Sequence, residues 1–181
     1  MLRIAIPISP EGWDEAKQEF VDPEVLYLDL EHSLVSLSKW ESKWCKPFLT
    51  QEKKTDEEVL DYIRCMTLNP DVAPEVYYLL TDNNLKEIQE YIDAPMTATT
   101  FTDKGPGKSS REITTSELIY SWMITLTIPV EFENWHLNRL LTLIRVCNVK
   151  NSPPKKRGQA EIANDYAALN AARKKKYNTR G

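Results

Sequence analysis

Hydrophobic and polar positions alternate at the start of this chain, then change to a helical spacing that persists to its end. Leu2, Ile4, Ile6 and Ile8 alternate with Arg3, Ala5 and Pro7, which predicts a short strand with Pro7 tolerable at an edge. Pro10, Gly12 and Pro23 punctuate a loop. Leu26, Leu28 and Leu30 then alternate with Tyr27, Asp29 and Glu31, predicting a second strand. The two fit a small antiparallel ribbon, which is marginal alone and needs helices to lean on. From Ser33 the spacing becomes helical through Leu34, Leu37, Trp40 (or Glu41), Trp44 and Phe48, with Ser33 as N-cap and Pro47 marking the end. Thr55-Asp56-Glu57-Glu58 is a capping box that opens a helix with Val59, Leu60, Ile63 and Met66 or Thr67 as its stripe. Asn69-Pro70 stops it, and Pro74 suits the first turn of a short helix carrying Val76, Tyr77, Leu79 and Leu80.

Asp82 or Asn83 is the expected cap of the next helix, striped by Leu85, Ile88 and Ile92. Met96–Phe101 is β-prone, and Thr102–Ser110 has the composition of a loop. Thr114-Thr115-Ser116-Glu117 reads as another capping box, opening a helix with Leu118, Ile119, Trp122, Met123 and Leu126. Beyond Pro129, Phe132–Asn148 predicts a long amphipathic helix. In it Trp135, Leu137, Leu140, Leu141, Ile144 and Cys147 face one way, and His136, Asn138 and Arg139 fall elsewhere. The breaker Ser152–Gly158 precedes a last helix, Ala160–Lys176, with Ile162, Tyr166 and Leu169 as a thin stripe. The expected fold is therefore mainly α. A helical body over residues 1–151 carries a small N-terminal β-ribbon, and residues 152–181 form a hinged, basic helical arm. The arm's stripe is too thin for a core, so its helix is expected to form on a partner.

Charge sharpens that division. Residues 149–181 hold nine Lys or Arg against two acids, a net of +7; residues 1–148 hold 14 against 25, a net of −11, and together they give −4. An acidic body with a basic arm can associate head to tail with its own copies, or dock an acidic partner. The arm alone suits nucleic acid, but the body opposes it. No apolar run approaches the ~20 residues that span a bilayer. Cys45, Cys65 and Cys147 are odd in number and widely spaced, which points to reduced thiols in a cytoplasm.

Candidate chemistry is sparse. Ser36-Leu37-Ser38-Lys39 matches a serine-hydrolase pattern without its companion motifs. Lys104-Gly105-Pro106-Gly107-Lys108-Ser109 has one residue between its glycines where a phosphate loop needs four, and that residue is a proline with no N–H. His32 follows Glu31, and His136 stands apart, with no nucleophile or metal-ligand set assignable to either. Neither cofactor nor metal is expected, and the reading is non-catalytic. Trp13, Trp40, Trp44, Trp122 and Trp135 can each bury on the order of 200 Å². Trp122 and Trp135 suit a core. Trp40 and Trp44, one turn apart among Lys39, Glu41, Lys43 and Lys46, suit an exposed aromatic anchor for a partner. The basic residues Lys155, Lys156, Arg157, Arg173, Lys174, Lys175 and Lys176 are the arm's candidate contacts.

Three blocks, Leu28–Leu49, Ile113–Asn148 and Ala167–Gly181, resemble in their order a family of tailed-bacteriophage tail assembly chaperones. The resemblance implies a protein that coats the long helical tape measure protein, keeps it soluble and presents it to the major tail protein. It implies work in the cytoplasm of the bacterial host and absence from the finished virion. Many such proteins have a frameshifted longer form, and Lys174-Lys175-Lys176 is compatible with an A-rich slippery stretch. Three other functions stay open on the residues: a structural adaptor kept in the virion at the head–tail joint or baseplate, a small nucleic-acid-binding factor using the arm, and an enzyme of unrecognised type.

Overall fold

The computed structural model describes residues 1–9, 12–14, 19–21, 24–101, 113–151 and 159–177. The fold is mainly α with a small β element. Contacts divide the chain into two units, Met1–Asn148 and Val149–Gly181.

In the first unit, strand β1 (Leu2–Pro7) pairs antiparallel with β4 (Val25–Leu30), Ile4 opposite Leu28 and Ile6 opposite Leu26. Alternation sends Ile4, Ile6, Leu28 and Leu30 into the core. Arg3 and Asp29, opposite each other on the outer face, join through two hydrogen bonds of 2.7 and 2.9 Å. The stretch expected to be a loop holds a second antiparallel pair, β2 (Gly12–Asp14) and β3 (Glu19–Val21). Three residues per strand give too little alternation to be legible in sequence.

Helix α1 (Leu34–Trp44) starts where expected. The Ser33 hydroxyl accepts from Ser36 N, and the Ser36 hydroxyl accepts from Ser33 N. Helix α2 (Asp56–Met66) is closed the same way by Thr55 and Glu58. A 3-10 helix spans Pro74–Leu79, and α3 (Asp82–Asp93) follows. Its cap is Thr81, one residue before the expected Asp82 or Asn83, and Asn84 answers it. Residues 94–101 form no strand: Met96 sits at φ 48°, in the left-handed region, and Thr99 N turns back to the Thr97 hydroxyl. The phosphate-loop-like stretch Lys104–Ser109 lies outside the described residues.

Helix α4 (Ser116–Thr125) is capped by Thr115. The capping box expected from Thr114 to Glu117 does not form. The acid at this helix start is Glu41 of α1, whose Oε2 accepts from Ser116 N at 2.7 Å while its Oε1 accepts from Phe48 N at 2.8 Å. Helix α5 runs Leu137–Asn151, starting five residues later than expected. Val130–Asn134 is instead 3-10, and His136 bridges to Ser33. Leu137 N donates to His32 O at 2.7 Å, which fixes the start of the helix. His136, expected off the apolar face, is buried, and Trp135 is half-buried against Phe132.

Two cores result, sharing α1. The first joins the ribbon, Trp40, Tyr62, Ile63, Met66, Tyr77, Ile88 and Tyr91. The second joins Leu34, Leu37, Ile119, Met123, Leu137, Leu140 and Ile144. In the second unit, α6 spans Gln159–Tyr177. Ala167, Ala168, Ala171 and Ala172 supply its helix propensity. Every described side chain from Ala163 to Tyr177 is exposed.

Candidate functional site

Among the predicted contact residues, Trp40 is corrected. It is 1% exposed, a core residue whose indole N–H donates to Glu58 O at 2.9 Å. Helical period turns it inward, and α2 covers it. Trp44 stacks on Trp40 with centroids 6.1 Å apart, is half-buried, and donates to Asp61 Oδ2 at 2.9 Å. The surrounding lysines serve the same α1–α2 joint. Lys43 pairs with Asp61, and Lys46 pairs with Glu58 at 2.6 Å. That ion pair, with the Thr55 hydrogen bonds, holds the Glu58 carboxyl below its ordinary pKa. Arg173, Lys174, Lys175 and Lys176 are exposed on α6, while Lys155, Lys156 and Arg157 lie outside the described residues.

The sequence reading missed an apolar cleft between two helices. Val59, Tyr62 and Ile63 of α2 face Leu85, Ile88, Gln89 and Ile92 of α3 across a cleft of about 310 Å³, with Phe48 and Lys54 completing its lining. Each helix is anchored away from the other. Trp40, Lys43, Trp44 and Lys46 hold α2 to α1. Asn84 Nδ2 donates to Ala5 O at 3.3 Å, and the Tyr91 hydroxyl donates to Glu31 Oε1 at 2.6 Å, tying α3 to the ribbon. Asn138 Nδ2 donates to Ile92 O and Ala94 O, both at 2.9 Å, fixing the end of α3 against α5. No hydrogen bond or ion pair joins α2 to α3 among the described residues, and Val59 stays 40% exposed. The cleft's cation is Lys54, whose ammonium lies 4.4 Å from the Phe48 ring centroid. Burial lowers its pKa, opposed by the Glu58 and Glu52 carboxylates.

Behind the cleft lies a buried polar cluster. The rings of His32 and His136 meet edge to face with centroids 5.1 Å apart. His136 Nε2 donates to Tyr91 O at 3.0 Å, and its Nδ1 accepts from Asn138 N at 3.3 Å, because a carbonyl only accepts and an amide N–H only donates. Tyr62 links the two features: its ring lines the cleft, and its hydroxyl shares a 2.6 Å hydrogen bond with His32 Nδ1. Burial, then the neighbouring His136, pushes the His32 pKa down to about 4, and burial also lowers that of His136. Both rings are therefore neutral at pH 7.

These imidazoles are held by packing and hydrogen bonds. Of the serine pattern, Ser36 is buried and its hydroxyl donates to Ser33 O at 2.8 Å, so it is consumed in capping α1. The three cysteines are free thiols. No group of three or more metal-ligating side chains occurs among the described residues, and none of their helices is long and apolar enough to cross a membrane. Comparison with protein-family models, curated proteins and solved structures gives no match.

Proposed function

We propose that this chain is a chaperone of tailed-phage tail assembly. It holds helical segments of the tape measure protein in the α2–α3 cleft and presents them to the major tail protein. It acts in the bacterial cytoplasm and is left out of the finished virion. The observation that carries this reading is the cleft between α2 and α3, lined by apolar side chains and open to solvent at Val59, with α3 anchored to the ribbon and to α5.

Magnitudes favour a holder over a tight binder. A client helix that lays Leu-sized side chains into the cleft at i, i+4 and i+7 gains roughly 1.5–3 kcal/mol for each fully buried side chain. Association costs about 4–15 kcal/mol, so one site alone is weak. A long client offering many such stripes converts weak sites into avidity. The acidic body keeps the complex soluble, and the exposed cations Arg173 to Lys176 are free to meet acidic stripes of the client.

The test is co-expression of the full chain with the tape measure protein encoded alongside it, followed by affinity purification. Val59→Asp and Leu85→Asp place a charge at the cleft and are expected to lower retention of the client while the circular dichroism of the chain stays helical. Full retention by both variants refutes the cleft as the holding site, and absence of co-purification with the unmodified chain refutes the function.

A further inference from the structure

We infer that the α2–α3 cleft selects client helices bearing a carboxylate beside their apolar stripe, and that Lys54 recognises that carboxylate. This rests on the client-holding reading and adds the chemistry of the client segment. Lys43 and Lys46, the neighbouring lysines of the α1–α2 joint, are neutralised by Asp61 and Glu58. Lys54 makes no ion pair within 4 Å among the described residues, although it lines the cleft and is partly withdrawn from water over the Phe48 ring. An ammonium that has lost part of its hydration gains more from an incoming carboxylate than a fully solvated one does. A cation on an aromatic ring, in a lining whose other polar groups are the Gln89 amide at the solvent edge and the Tyr62 hydroxyl bonded to His32, therefore sets a preference for acid without supplying most of the affinity.

The shape of the cleft favours a helix over a small organic acid. Its α3 wall runs from Leu85 to Ile92, two turns or about 10 Å, which matches anchors at i, i+4 and i+7. It opens to solvent along Val59 and Gln89, so an occupant keeps one polar face in water, as an amphipathic helix does. An acyl chain has no such face and is held better in an enclosed cavity.

The experiment uses fluorescein-labelled synthetic helices and the full-length chain, read by anisotropy. One peptide carries Leu at i, i+4 and i+7 with a Glu one turn beyond; its partners replace that Glu by Gln, or the leucines by Ser. The unmodified chain is expected to bind the Glu peptide about fivefold more tightly than the Gln peptide, the scale of a favourable, partly exposed ion pair. The Ser peptide should not bind. Lys54→Gln should bring the affinities for the Glu and Gln peptides together, and Lys54→Arg should keep them apart. Equal affinity for the Glu and Gln peptides, or a preference that survives Lys54→Gln, overturns the inference. So does binding of dodecanoate without binding of the Leu peptides. Self-association of the chain that the Glu peptide reverses would give the cleft to the arm of a second copy and overturn it as well. If the Glu preference is absent but Val59→Asp still lowers tape measure retention, acid selectivity falls and the holding function stands.

Discussion

Acidification from pH 7 to pH 5 perturbs the buried pair His32 and His136 before any other group whose pKa the fold shifts. The His32 pKa falls from 6.5 to about 4 in the folded chain, mainly through burial. Between those values the unfolded chain binds a proton that the folded chain refuses, so stability is intact above pH 6.5 and is lost as pH falls toward 4. At 1.36 kcal/mol per pKa unit, the loss from His32 is about 2 kcal/mol at pH 5 and about 3 kcal/mol once pH reaches 4. His136, also lowered by burial, adds to it with the same sign. The groups facing the pair are the hydroxyl of Tyr62, the carbonyl of Tyr91, the carboxylates of Glu31 and Asp93, and the N-terminal amine. Asp29 and Glu58, whose pKa values the Arg3 and Lys46 pairings lower, begin to cost stability only below about 4.5, so the window from 6.5 to 5 belongs to the histidines. Urea unfolding followed by far-ultraviolet dichroism reads the effect. With a slope near 2 kcal/mol/M, the midpoint should fall by about 1 M between pH 7 and pH 5. The double variant His32→Gln/His136→Gln should start lower and lose that dependence. A flat midpoint in the unmodified chain, or an undiminished dependence in the double variant, refutes the assignment.

Glu41, 6% exposed, serves two backbone N–H groups of different segments. Glu41→Ala orphans both and should cost about 3 kcal/mol in urea unfolding, whereas Glu41→Gln, with one acceptor oxygen, should cost about half that; a loss under 1 kcal/mol for the alanine variant contradicts the bridging role. Thr127, a β-branched residue just past α4, sits at φ 55°, so Thr127→Gly should raise stability by about 0.5–1 kcal/mol, and a lowered melting temperature would contradict the strain. Removing residues 152–181 should leave the melting temperature of the body unchanged, since the described arm side chains are exposed, while weakening tape measure retention. Unchanged retention discards the arm as a client contact.

What was legible in the sequence is what four consecutive residues decide. Ser33 with Ser36, and Thr55 with Glu58, close their caps within one turn, so α1 and α2 begin where the pattern puts them. Alternation from Leu2 to Ile6 and from Leu26 to Leu30 is equally local, and the two strands form the expected antiparallel ribbon. The failures share the opposite property. Glu117 stands three residues after Thr114, but the cap is Thr115, and Glu41 accepts from Ser116 N at the same helix start from 75 residues away. Trp40 among lysines looks like a surface anchor until α2 supplies both its lid and the acids that pair those lysines.

The cleft is illegible for a further reason: Tyr62, Ile63 and Ile88 pack together at its floor, while Val59, Leu85 and Ile92 at its mouth are left partly uncovered. The stripe Val59, Tyr62, Ile63 would read the same whether α3 covered it or stood back from it. The position of α3 is decided by Asn84 on Ala5, Tyr91 on Glu31 and Asn138 on Ile92, pairs separated by 79, 60 and 46 residues. These anchors all lie outside the cleft, so a client helix entering between the walls breaks none of them. On the proposed function, the binding-competent conformation is then the ground state, and affinity is not reduced by the fraction of molecules that must first open. For a holder working through many weak contacts this matters more than for a tight binder. A cost of 1.4 kcal/mol per site would weaken each contact tenfold, and avidity multiplies that loss along the whole client.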